Sequence, residues 1–243
     1  EEALLDLDYI IHLAGAGIAD KRWTSERKKV IIDSRVATAN LLYSKIKALK
    51  IPLKGFISAS GSNFYGAKTT DTVYTETDIA GTDFLGDVCL QWEKAAQQFE
   101  TLKIPVTLLR TGIVLSKKGG ALQKMKTPII SPLGSGKQYL SWIHLDDLCN
   151  LYIHVIEQNT TGVFNAVAPD FQTSKSFSKT LAKSIKKPYL PMAVPGFLLK
   201  LVFGELAVIL LEGSRLSSKK VKTTNFQFKF KTVSEAFSNL FQK

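Results

Sequence analysis

Cysteine is scarce in this chain: Cys89 and Cys149 are the only two in 243 residues. Two thiols make no disulfide framework, and neither has a neighbour at metal-ligand spacing. A reducing cytoplasm is therefore the expected compartment, and no metal is expected. A long hydrophobic run is lacking as well. Crossing a bilayer takes ~18 consecutive apolar residues. The most apolar region, Val194 to Leu211, is broken by Pro195, Gly196, Lys200, Gly204 and Glu205. No membrane partner is expected. There is no internal repeat and no low-complexity segment. Glu1 is not a native start, so a targeting signal ahead of it would not be seen.

Acidic residues are short in one region only. The whole chain carries 32 Lys+Arg and 21 Asp+Glu, net +11. Residues 1–169 hold 19 and 17 of them, whereas residues 170–231 hold 12 and 3, net +9. Those lysines are spread along expected helix faces rather than run together. They read as a solvated surface, with nucleic acid, an anionic membrane or a phosphorylated substrate the weaker alternatives. The remaining composition, 45% hydrophobic and 22% charged, is that of one large globular domain or a domain with a small appendage.

What is present centres on Asp8-Tyr9-Ile10-Ile11-His12-Leu13-Ala14-Gly15-Ala16-Gly17. A short apolar run ended by glycine suits a strand buried on both faces of a parallel sheet. The small residues after it let a ligand approach the backbone at the strand's carboxyl end, where open α/β sheets bind ligands. An ordinary turn would use the same residues. Thr24 to Leu49 reads as a helix with Thr24 or Ser25 as N-cap. A strand at Gly55–Ser60 and a small polar loop to Gly66 complete the βαβ grammar of a doubly wound sheet. The spacing then predicts a loop over 67–83, a helix from Asp83 to Leu102, and a strand from Ile104 to Leu109. Residues 116–139 read as a long connection. A short strand at Ser141–His144, a helix to Glu157 capped by Asp146 or Asp147, and a strand at Gly162–Val167 follow. Beyond these come a lysine-rich helix over 174–186, an extended piece to Pro195, and a helical segment over 196–213 that breaks near Gly204. An alternating run at Phe226–Phe230 and a closing helix end the chain.

Several pieces, in order, resemble the extended short-chain dehydrogenase/reductase superfamily, the NAD-dependent epimerase/dehydratase group. His12-Leu13-Ala14-Gly15 is similar to its H-x-A-G. Ala37-Thr38-Ala39-Asn40-Leu41-Leu42 is similar to G-T-x-N-L-L. Ser58-Ala59-Ser60 with Tyr65-Gly66, and Trp142 through Leu148, are similar to S-S-x-x-x-Y-G and F-I-H-V-D-D-V. Arg22-Trp23, Asp33-Ser34-Arg35, Trp92-Glu93, Pro132 through Gly136, Gly204-Glu205-Leu206-Ala207 and Gly213-Ser214-Arg215 narrow the likeness. They resemble one atypical subfamily with a small C-terminal domain of unknown function.

The resemblance implies an α/β, Rossmann-like doubly wound parallel sheet whose first strands are missing, with a smaller C-terminal α/β domain on the substrate side. The expected division is a partial dinucleotide-binding domain over 1–115, with later strands returning at about 141–168, and a substrate-side domain over 116–243. The family's opening strand, G-x-x-G-x-x-G turn and second βαβ unit need about 50 to 60 residues, and this chain starts after them. The implied cofactor is NADP or NAD and the implied partner a small, anionic molecule. A monomer or a homodimer is expected.

The family's chemistry does not carry over directly. Typical members use a Ser or Thr together with Y-x-x-x-K. That motif falls on Phe84-Leu85-Gly86-Asp87-Val88-Cys89, which has neither Tyr nor Lys. The usual hydroxyl position falls near Gly61. The replacement catalytic residues are Ser62 and Tyr65, although Tyr65 also suits a packed turn. Cys89 reads as a buried, inert thiol. The implied cofactor contacts are Leu13, Ala14 and Gly15 on the adenosine side, Ser58, Ala59 and Ser60 at the nicotinamide ribose, and Thr111, Gly112, Ile113 and Val114 beside the nicotinamide. Arg35 either pairs a ligand's phosphate or carboxylate or bridges Asp33 or another acid. Trp23 and Trp142 form a lid or pack in the core. His144 is a strand-end residue or a substrate contact; Arg35, Trp142 and His144 are the substrate-binding candidates. Two readings stand: a NAD(P)-dependent oxidoreductase or epimerase-like enzyme with a degenerate triad, or a non-catalytic dinucleotide sensor.

Overall fold

The structure, a computed structural model, describes residues 4–241. Apolar and β-branched runs form the strands of one parallel sheet. These are β1 (Tyr9–His12), β2 (Gly55–Gly61), β4 (Val106–Thr111) and β7 (Gly162–Ala166), in the order β1-β2-β4-β7. Ile10 pairs with Phe56, and Phe56 with Val106, so the three strands are parallel neighbours in one layer. Two small parallel pairs flank this sheet: β3 (Val73–Tyr74) with β8 (Arg215–Leu216), and β5 (Ile113–Leu115) with β6 (Trp142–His144).

Helix α1 (Ser25–Leu49) begins where the Thr24 hydroxyl accepts from Arg27 N, and ends at Lys50 in the left-handed conformation. Helix α2 (Phe84–Gln97) is capped by Asp83, whose carboxylate accepts from Gly86 N at 2.9 Å. These two helices cover one face of the sheet. Ile46 from α1, with Ala96 from α2 and Phe99 just past its end, packs on Ile10, Phe56, Val106 and Leu108. Phe56 and Phe99 stack with centroids 3.9 Å apart. Helix α4 (Leu145–Glu157) covers the other face through Leu151, Tyr152 and Val155. The tail returns there, with Val221 of α8 (Lys219–Thr223), Phe226 and Phe228 packed against Ile57, Leu109 and Phe164.

A second core is built from α3 (Ala121–Met125), α5 (Ser174–Ser184) and α9 (Val233–Phe241), around Leu122, Trp142, Phe177, Leu181 and Phe237. Between α5 and β8 run α6 (Gly196–Phe203), a 3-10 turn at Gly204–Ala207, and α7 (Val208–Leu211).

The structure corrects several local expectations. β1 is buried on one face only: Ile10 and His12 point inward, while Ile11 is 45% exposed. Neither Asp146 nor Asp147 caps α4. The cap is His144, whose Nδ1 accepts from Asp146 N at 3.0 Å. Asp147 is instead buried, accepting from the backbone N–H groups of Lys229 and Phe230 at 2.8 and 3.0 Å. Trp142–His144 joins β5 rather than the main sheet. The loop over 67–83 contains β3, whose partner lies in the tail. The alternating phenylalanines 226, 228 and 230 are buried and form no strand.

Candidate functional site

Strands β1, β2 and β4 are parallel, so their carboxyl ends share one edge, and small residues follow each: Leu13 to Gly17, Ser62, and Gly112. The floor of this edge comes from Arg35 on α1 and from Cys89 and Trp92 on α2. The Arg35 guanidinium lies on the Trp92 ring, 4.8 Å from its centroid. Its Nη1 donates to the carbonyls of Ala16 at 3.1 Å and Ile31 at 2.8 Å. A Cβ on Gly15 would stand 2.9 Å from Arg35 Cζ, so glycine lets the loop rest directly on the guanidinium. Arg35 is only 9% exposed, its Nε is buried without an acceptor, and no carboxylate pairs with it among the described residues. Asp33 is taken by Lys29. Burial pulls the Arg35 pKa down; Cys89 opposes this and Arg27 adds to it. A buried cation held only by carbonyls is an incomplete site, and an anion would complete it.

The surrounding side chains brace this floor. The Ser34 hydroxyl accepts from Ala16 N at 2.8 Å and so holds the loop over Arg35. Trp92 Nε1, which can only donate, meets His12 Nδ1 at 3.4 Å. His12 therefore donates from Nε2 to the Thr38 hydroxyl at 2.9 Å, and burial keeps its pKa low. Cys89 is buried against Gly61, its thiol pushed up to about 12 by burial and by Glu93. Trp23 donates to the Ile18 carbonyl and meets Phe84 edge-on at 4.9 Å.

Behind β2 and β4 lies a second polar cluster. Arg110 makes a bidentate pair with Glu93, Nε to Oε1 at 2.8 Å and Nη2 to Oε2 at 2.9 Å. Its Nη1 donates to the Tyr65 hydroxyl at 2.9 Å. Ser60 donates to Glu93 Oε1 at 2.6 Å. Glu76 accepts from Asn165 N, and Asn165 Nδ2 donates to the Ser217 carbonyl. The cluster thus ties β2, β4 and β7 to the tail.

Residues 194–240 match a domain of unknown function, DUF1731. An epimerase family protein of Staphylococcus aureus is 35% identical over 246 residues, covering 98% of this chain and 80% of the relative. The chain belongs to the epimerase family. Among solved structures, the human epimerase family protein SDR39U1 with NADPH is similar at TM-score 0.89 and 28% identity, over 98% of this chain and 83% of that one. A nucleoside-diphosphate sugar epimerase from Corynebacterium glutamicum is similar at TM-score 0.77 and 27% identity, over 99% of this chain and 48% of that one.

Within this epimerase-family fold the predicted site residues divide. Leu13, Ala14 and Gly15 form the loop over Arg35, and Leu13 and Gly15 are exposed. Ser62 is half-buried in the turn after β2, its hydroxyl 3.4 Å from Asn63 Oδ1. Thr111, Gly112, Ile113 and Val114 are half-buried where the chain leaves the sheet. A Cβ on Gly112 would lie 2.5 Å from the Ser141 carbonyl, so β5 can approach β6 only because residue 112 is glycine. Ser58 and Ser60 are buried with their hydroxyls occupied, by His12 and Ala59 and by Glu93 respectively. What Ser58, Ala59 and Ser60 can offer a ligand is backbone.

Three side chains do not reach this strand-end edge. Tyr65 is buried behind it, bonded to Arg110 and Asn165, and burial pushes its phenol up to about 12. Trp142 is wholly buried in the second core. His144 caps α4 and stacks on Phe230 at 4.0 Å. Among the described residues no cluster of His, Cys, Asp or Glu could hold a metal ion, and no helix is long and apolar enough to cross a membrane. Sequence reasoning missed the Arg110–Glu93 pair. Trp92-Glu93 stood out as a subfamily motif, but nothing in the sequence connects it to position 110.

Proposed function

We propose that the chain is a NAD(P)-dependent, epimerase-like oxidoreductase acting on a small anionic molecule, as a monomer or homodimer in the cytoplasm. The observation that carries this is Arg35: a buried guanidinium that no carboxylate among the described residues pairs, under the exposed backbone of a strand-end loop. Both a dinucleotide and an anionic substrate fit it chemically. Leu13–Gly15, Ser58–Ser60 and Thr111–Val114 would hold NADP or NAD, which when bound would supply the hydride chemistry. Arg35 takes a phosphate or carboxylate oxygen. The Ser62 hydroxyl holds the substrate oxygen whose bonding changes. Of the two hydroxyls first expected to act, Ser62 keeps a catalytic role and Tyr65 becomes a buried strut.

Titration of the full-length protein with NADPH and with NADH, read by tryptophan fluorescence, tests this. Quenching with saturable affinity for one of them is expected, and no affinity for either overturns the reading. A second reading, a dinucleotide sensor without turnover, is favoured by the stretch Phe84–Cys89, which has neither the Tyr nor the Lys usual there. Turnover of a sugar-nucleotide panel that is lost in Ser62→Ala decides for the enzyme.

A further inference from the structure

Helix α6 is apolar on nearly every side and lacks a cover. Its sequence is Gly-Phe-Leu-Leu-Lys-Leu-Val-Phe, and only Leu199 is buried. Phe197 is 70% and Leu201 74% exposed, with Leu198, Val202 and Phe203 exposed beside them. Met192, 72% exposed, and Leu190 extend the patch along the preceding segment. A helix that is hydrophobic all round belongs in an apolar environment, and a patch of this kind marks a partner or a lipid surface.

The helix is nonetheless firmly placed. Arg22 closes its carboxyl end, donating from Nη2 to the carbonyls of Leu201 at 2.9 Å and Val202 at 2.8 Å. Lys28 pairs with Glu205 just beyond. At the other end Gly196 packs on Leu211. The ridge is therefore held out by the fold rather than left by fraying.

Charge tells what covers it. From Phe171 to Gly204 there are six lysines and no acidic residue. Lys175, Lys179 and Lys183 recur every four residues, so they form one stripe on α5, and all three are exposed. Phe177 and Leu181 occupy the opposite, buried side. The two features meet at one turn: Gly136 faces Lys175, and Gly134 faces Leu211, on which α6 begins. Apart from Glu205, which Lys28 pairs, the charges bordering this apolar ridge are cations, and such a ridge complements a surface with anionic headgroups above a hydrocarbon interior. An acidic protein groove would supply the charge but not the depth of hydrocarbon.

We propose that α6 and the α5 lysine stripe dock this protein peripherally on anionic lipid bilayers, and that this is a role of the C-terminal domain. Phe197, Leu198 and Leu201 enter the interface while Lys175, Lys179, Lys183 and Lys200 meet the headgroups. The chain lies on the membrane without crossing it, and the dinucleotide crevice is not required for docking.

The test is co-sedimentation of the full-length protein with vesicles of phosphatidylcholine alone and of phosphatidylcholine with phosphatidylglycerol. Binding is expected to the anionic vesicles only, and to weaken as salt rises. Phe197→Ser with Leu201→Ser should abolish it; both residues are exposed, so folding survives, as circular dichroism will check. Lys179→Gln and Lys183→Gln should each weaken it about fivefold, the equivalent of about 1 kcal/mol per surface charge. Equal binding to neutral vesicles, no binding at low salt, or binding unchanged by the serine variants overturns the proposal. So does a doubled mass in light scattering that the serine variants return to that of a monomer, because a second copy would then be the cover.

Discussion

The Tyr65 hydroxyl donates a 2.7 Å hydrogen bond to Asn165 Oδ1 and accepts one from Arg110 Nη1 at 2.9 Å. Both lone pair and proton are used inside the protein, and the ring is buried between Phe64 and Tyr74. Tyr65→Phe should therefore cost stability, about 1 to 3 kcal/mol for leaving the Asn165 oxygen unpaired, and leave ligand affinity within about twofold. Urea unfolding and NADPH titration measure the two. A folded variant of normal stability that has lost turnover would return Tyr65 to the catalytic machinery.

Arg35 presents the reverse case. Its burial without a carboxylate is unfavourable in the free protein and useful once an anion arrives. Arg35→Met, which preserves the stacking volume on Trp92, should raise the stability of the ligand-free protein by about 1 kcal/mol. The same substitution should weaken NADPH binding at least about tenfold, the loss of one charge-assisted contact. Thermal melts with and without NADPH will show the two effects with opposite signs.

The Arg110–Glu93 pair is bidentate, and both side chains are almost fully enclosed. Removing one partner strands the other charge. Glu93→Ala should lower stability by about 3 to 5 kcal/mol. The double variant Glu93→Leu, Arg110→Met should recover much of that, since the two apolar side chains leave no charge behind. Denaturant midpoints for the single and double variants form the check.

Burial holds the pKa of both His12 and His144 below the ordinary 6.5, with Asp146 and Asp147 acting in the opposite direction on His144. Below about pH 6.5 the unfolded chain takes up protons that the folded one refuses. Their contribution to stability is thus complete above that pH and is lost as the pH falls toward the folded values. Urea midpoints should drop between pH 7.5 and pH 5.5. His144→Asn keeps an acceptor at the helix cap and does not titrate, so it should reduce the pH dependence while lowering stability at both values.

Local chemistry made much of the framework legible. The Tyr9–His12 strand, the Thr24 cap of α1 and the strands at 55 and 106 are all written in neighbouring residues. The reading failed where one residue's role depends on a distant one. Asp147 looks like a helix cap until the backbone of Lys229 and Phe230 is brought to it. Trp142 suits a lid or the core equally until the second core takes it in. β3 has two residues, and its partner lies some 140 positions away.

Periodicity, caps and strand-end glycines depend on interactions within a few residues, so the order of the main elements and the parallel sheet could be read before any coordinates, while a ligand crevice at its carboxyl edge is an expectation. Whether a polar side chain faces that crevice or hides behind it depends on contacts between remote segments, whose closeness no local pattern encodes. Folding alone placed Tyr65 in the wall, left Arg35 without a counter-charge under Gly15, and held α6 out bare.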